Sequence, residues 1–263
     1  MSDIIISPKY SAKSGNDWTS DDLAAYNITV EPQDAPTFFG HPRLPEPNVT
    51  PKEVLEVAEP DGAATEDGAR LLRYLHKATD PEARCIVDFA KWLFEETCQY
   101  LGRTDIFSRE TIPLTVCREV KETMASITIV NDALQYLMVL QEGGSRIGGA
   151  DPEPLLIAEA IAAFAMNNEI RENKLGLPPL QSGVIPGITL KGTSPTFYKI
   201  PVTVDLVTAV AEGRFPEDET VVHAYVPELP RPDRREIEGM KPLDNRRIIF
   251  SCLEAFKQFV DKI

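Results

Sequence analysis

The chain has 263 residues, 27 of them Lys or Arg and 41 Asp or Glu, for a formal net charge of −14. Hydrophobic residues at 43% and charged residues at 26% are ordinary globular usage, which excludes a wholly disordered or collagen-like chain. No apolar run reaches the roughly 20 residues that span a bilayer, so the expectation is a soluble intracellular protein, cytoplasmic or nuclear, with no membrane partner. The acidity disfavours nucleic acid as a partner, because affinity for phosphate backbones comes from Lys and Arg releasing counterions. Four cysteines without a CxxC pair read as free thiols.

Residues 1–60 read as a Pro-rich N-terminal arm, because prolines at 8, 32, 36, 42, 45, 47, 51 and 60 interrupt every periodic stretch. Trp18, Leu23, Tyr26, Ile28, Val30, Phe38 and Phe39 let that arm pack on a surface, with Ser20 as the N-cap of one helical turn. Residues 61–263 read as the α/β domain. A helix is expected from Glu66 through Ala78, and a second from Pro81 to about Leu101, with Gly102 as its stop. A β-like run follows from Ile112 to Lys121. The apolar stretch from Ser126 to Gln141 reads mostly as helix. Gly143, Gly144, Gly148 and Gly149 bracket a loop before a helix from Pro154 to about Asn173, whose alanines permit close approach to a sheet. Ile185–Leu190 and Thr196–Val202 read as a hairpin, Asp205–Gly213 as a helix, Thr220–Val226 as a strand, and the chain from Asn245 as a closing helix.

Glu119 and Lys121 stand two apart on a strand and so share a face, with Val120 on the other. A carboxylate beside an ammonium suits metal-dependent phosphodiester hydrolysis: the first holds a divalent cation and the second steadies the developing charge. Such a site needs a second carboxylate, and Asp105 lies fourteen residues earlier. If the intervening hairpin turns near Glu110–Leu114, Asp105 lies opposite Glu119; if it turns at Ser108–Thr111, Glu119 lies five residues along, about 17 Å away. The competing reading is an ordinary exposed ion pair, worth under about 1 kcal/mol.

Asp105, the Glu119-Val120-Lys121 triplet, the helix over 158–171 and the hairpin over 186–202 together resemble the PD-(D/E)XK nuclease-like superfamily. The stretch Gly192 to Pro201 is also similar to a set of uncharacterised fungal proteins. The resemblance implies a restriction-endonuclease-like fold, a central mixed β-sheet flanked by helices. It further implies Mg²⁺ held by Asp105 and Glu119, Lys121 as the catalytic lysine, a further metal-binding Glu at Glu96 or Glu95, and a polar site residue at Asn167 or Asn168. Thr104 stands where the family favours Pro, and Asn where Gln is commoner.

Other motifs fall short. Gly187 to Ser194 approaches a P-loop but carries Thr193 in place of the lysine that reaches the phosphates. His41, His76 and His223 are isolated in sequence, and no G-x-S-x-G elbow occurs. Lys241, Arg246 and Arg247, with Arg234 and Arg235, form the one basic concentration, after a Pro-rich stretch from Pro227 suited to a peptide ligand. The expected function is a metal-dependent nuclease-like protein. The alternative is a catalytically inactive nuclease-like scaffold acting as a protein-interaction module with a protein partner.

Overall fold

The computed structural model describes residues 12–80, 85–98, 100, 104–143 and 151–260. The expected helix start at Pro81, its end at Leu101–Gly102 and the loop glycines Gly144, Gly148 and Gly149 lie outside these residues.

Seven strands form one mixed sheet in the order β1-β7-β6-β5-β4-β3-β2. They are β1 (Ile28–Pro32), β2 (Thr104–Val116), β3 (Glu119–Asn131), β4 (Tyr136–Glu142), β5 (Ser182–Lys191), β6 (Ser194–Thr203) and β7 (Thr220–Tyr225). Strand β1 runs parallel to β7 and β4 parallel to β5, while every other neighbouring pair is antiparallel.

Helices cover both faces, so the sheet separates two apolar clusters. On one face lie α2 (Ala35–Phe39), α3 (Glu66–Ala78), α4 (Ile86–Trp92) and α8 (Leu243–Val260), packed around Phe89, Phe94, Phe197, Phe250 and Phe256. On the other lie α1 (Ser20–Ala25), the long α5 (Glu153–Asn173) and α6 (Val204–Glu212). In α5 the alanines at 158, 160, 162 and 163 are fully buried, as expected for a helix that approaches a sheet closely. A short α7 (Arg235–Glu238) precedes α8.

The helices α3, α5, α6 and α8 and the β5–β6 hairpin fall where the sequence places them. Three expectations do not hold. Residues 126–141 are not helix: they form the end of β3, a turn and β4. The strand residues there, 126–130 and 136–141, are buried because both sheet faces are covered, and a strand buried on both sides loses its alternation. The N-cap of α1 is Thr19, one residue before Ser20, with the Asp22 carboxylate accepting the Thr19 N–H at 2.8 Å.

The third concerns the Pro-rich segment, whose described residues are built into the domain instead of lying across it. Strand β1 is an edge of the sheet, and its Pro32 sits at the end of that strand, where a missing N–H is tolerated. Phe38 and Phe39 are core residues, stacked and edge-on against Tyr225, Phe256 and Phe259. Arg246, fully buried, donates to the carbonyls of Val54, Val57, Met240 and Lys241 at 2.7–2.9 Å, and so clips the segment onto α8. Burial pushes its guanidinium down to about 10. A boundary at residue 60 therefore does not separate two cores.

Candidate functional site

The hairpin β2–β3 carries the residues singled out from sequence. It turns at Cys117-Arg118, later than either turn expected, with Val116 opposite Glu119 and Asp105 opposite Val130. Both turn residues have positive φ, 52° and 67°, the geometry of a two-residue hairpin loop that normally selects Asn-Gly. Tertiary contacts hold this unfavoured pair in place: the Cys117 and Arg118 N–H groups donate to the Val210 and Ala211 carbonyls at 3.1 and 2.6 Å, at the end of α6.

The consequence for the acidic motif is direct. Asp105 lies eleven residues along the hairpin from Glu119, about 36 Å at strand rise. The two carboxylates cannot share an ion, and the Mg²⁺ site expected from Asp105 and Glu119 does not form. Glu119 and Lys121 do share a face, paired at 2.7 Å with side chains 63% and 32% exposed. That is the ordinary surface ion pair of the competing reading. Glu95 pairs with Lys91 at 3.6 Å on the helical turn after α4, and its neighbour Glu96 is exposed. No group of three or more His, Cys, Asp or Glu among the described residues is arranged to hold a metal ion.

Asn167 and Asn168 hold backbone. Asn168 bonds both polar groups of Leu180 at 2.8 and 3.0 Å. Asn167 accepts from the Tyr136 N–H at 2.6 Å and donates to the Tyr136 carbonyl at 2.8 Å, replacing a neighbouring strand at the first residue of β4. That replacement is needed because β4 and β5 part company there. Their ladder runs only from Val139↔Gly187 to Glu142↔Leu190. Just before it stands Pro186, which has no N–H to offer β4.

The parting leaves a notch of about 460 Å³ beside the first half of β5. Phe164, Asn167 and Arg171 of α5 line it from one side, Lys199 and Phe259 from the other, and Val184 stands in it 46% exposed. The Leu190 carbonyl accepts from Gly143 on the β4 side. Alternation therefore turns the backbone groups of Val184 the same way, into the notch. The Lys199 ammonium donates to the Phe38 carbonyl at 2.9 Å and sits 4.6 Å over the Phe38 ring. Desolvation lowers its pKa.

A second concavity, of about 350 Å³, lies at the opposite end of the same strands, beyond the first turn of α5. Here the sheet face turns polar: Thr189 and Lys191 on β5, and Ser194, Thr196 and Tyr198 on β6, line the concavity. The alternation of polar residues with Ile188, Leu190 and Phe197 was a readable signal that motif matching passed over. Asp151, Glu153 and Arg235 also line it, and Val30, Pro32, Ala224 and Val226 add an apolar side. The Tyr198 hydroxyl lies near Glu153 and Thr189. Burial first, and then Asp151, raises the Glu153 carboxyl. Arg235 donates to the Pro195 carbonyl at 2.6 Å, but its Nε–H has no partner, and neither has the hydroxyl of Ser194, which is 2% exposed.

The basic concentration is partly tied up in place. Arg231 pairs with Glu238 and Asp244 at 2.6 and 2.7 Å, Arg234 with Glu238 at 3.0 Å, and Arg246 is buried. No protein-family model and no curated relative matches the chain. The fold is a mixed α/β domain with a seven-stranded sheet flanked by helices. No helix among the described residues is long and apolar enough to cross a membrane.

Proposed function

We propose that this chain is a protein-interaction module: a nuclease-like scaffold, as the sequence resemblance implies, whose acidic motif holds no catalytic metal. The observation that carries the reading is the early end of the β4–β5 ladder, which leaves the Val184 edge of β5 facing an apolar notch. An unpaired strand edge is a template for an added strand, with main-chain bonds supplying affinity and side pockets supplying selectivity.

The occupant we propose is an extended segment of another protein with apolar side chains flanked by Asp or Glu. Phe164, Leu180 and Phe259 receive the apolar groups, and Arg171 and Lys199 are the cations at the notch. Among the described residues, the contacts of the Lys199 charge are a carbonyl and aromatic rings, so an incoming carboxylate improves its surroundings.

The test is selection of linear peptides from a random display library on the full chain, followed by amide exchange of the complex. We expect a consensus alternating apolar and acidic residues, slowed exchange at the Val184 amide, and loss of binding in Val184→Pro. Binding should be unchanged in Glu119→Ala. Mg²⁺-dependent cleavage of DNA or RNA that disappears in Glu119→Ala is the result that overturns the proposal.

A further inference from the structure

The polar cleft at the far end of β5 and β6 is separate from the notch and plays no part in the reading above. Its lining holds groups of both charges. A buried hydroxyl, Ser194 Oγ, lacks a partner, and so does the Nε–H of Arg235, whose terminal nitrogen reaches the Pro195 carbonyl and the Thr196 hydroxyl. The carboxyls of Asp151 and Glu153 line the same cleft. Lys191 is already paired with Glu236 at 3.3 Å and contributes little free charge.

A donor left unpaired in a protein interior costs about 1–3 kcal/mol, so two such groups on residues that line one cleft point to an acceptor that belongs there. The geometry points to a small zwitterion, a free α-amino acid, whose carboxylate meets Ser194 and Arg235 and whose ammonium meets Glu153 and Asp151. A simple anion satisfies the donors but faces two carboxyls in an acidic protein, and a simple cation leaves the donors unpaired. The zwitterion alone meets both ends. Desolvation, which disfavours charge on Glu153 and on Arg235, is relieved at each by the opposite charge of the ligand. The volume, about 350 Å³, is at the small end of ligand pockets.

The test is isothermal titration calorimetry of the full chain against each of the common L-amino acids, with the N-acetylated acid and the decarboxylated amine of any binder as controls. We expect at least one amino acid to bind and neither control to bind measurably. Ser194→Ala and Glu153→Gln should each weaken binding by about tenfold or more, the loss of one charge-assisted hydrogen bond. Glu153→Gln lies at the first turn of α5, and circular dichroism establishes that it folds should Ser194→Ala fail to. No binding by any amino acid overturns the inference. Equal binding of either control, or an affinity unchanged in the variants, overturns it as well.

Discussion

Glu159 offers the sharpest test of how the interior of this protein is built. It lies on the second turn of α5, is 0% exposed, and neither carboxyl oxygen has a hydrogen-bond partner. Burial alone holds its pKa well above the usual carboxylate range, so the folded protein keeps it neutral at a pH where the unfolded chain ionises it. The unfolded group titrates near about 4.3. Below that value both states are protonated and no penalty exists. Above it only the unfolded state releases the proton, so stability falls by about 1.4 kcal/mol per pH unit until the folded-state pKa is passed. Two units above the unfolded value, the loss is about 2.7 kcal/mol.

Glu159→Gln has the same shape and no charge to gain. The variant should match the wild type near pH 4 and exceed it in stability by an amount that grows with pH. Glu142 and Glu153, also raised by burial, titrate in both proteins and cancel in the difference as long as they are not coupled to the site. Urea unfolding across pH 4 to 8, with midpoints compared at constant m, reads that difference directly. A wild-type-minus-variant stability that stays flat across the range would refute the reasoning, since it means that Glu159 ionises equally in both states.

Asn167→Leu leaves the Tyr136 N–H and carbonyl unpaired in the interior and should cost about 2–5 kcal/mol in urea unfolding. Arg246→Met strips the donor from four carbonyls, two of these bonds being buried and two part-buried, and should cost about 3 kcal/mol, with faster proteolysis in the 54–58 region that Arg246 holds. Glu119→Gln removes only an exposed pair, and a midpoint shift above about 1 kcal/mol would show that the pair is part of something larger. Gly213→Ala places a Cβ 2.8 Å from Cys117 Sγ at a φ of +69° and should lower the melting temperature by loosening α6 from the hairpin turn.

The parts of this fold that were legible in the sequence are those whose signals are local. Helix α3 has Thr65 as its cap and α5 is long and dense in alanine, while Gly192 at positive φ marks the β5–β6 turn. The β2–β3 turn had no such signal. Cys117-Arg118 is held in the left-handed region by carbonyls of α6, almost a hundred residues later, and no short-range rule finds it. That one turn decides the register, and the register decides whether Asp105 and Glu119 meet. Asn167 misled for the same reason: a polar residue on a buried helix reads as chemistry until the strand end that it satisfies is in place. Helical caps, turns and periodicities are written along the chain, but a side chain serving as the partner of a distant strand is not.

Charge gives the two proposals a common discriminator. A chain of net charge −14 repels an acidic segment at long range, while contacts with Arg171 and Lys199 act only once the segment is seated. Salt screens exposed charges beyond about 8–10 Å and affects part-buried pairs less. The association rate of an acidic peptide with the β5 notch should therefore rise as ionic strength increases from low values, with a smaller change in the dissociation rate. A nucleic-acid partner behaves oppositely, because each phosphate contact loses affinity as salt rises. The neutral zwitterion proposed for the polar cleft should be nearly indifferent to salt, since its two ends are screened together. Three ligand classes thus predict three signs of salt dependence, and one stopped-flow and calorimetry series on the wild-type chain separates them without a mutation.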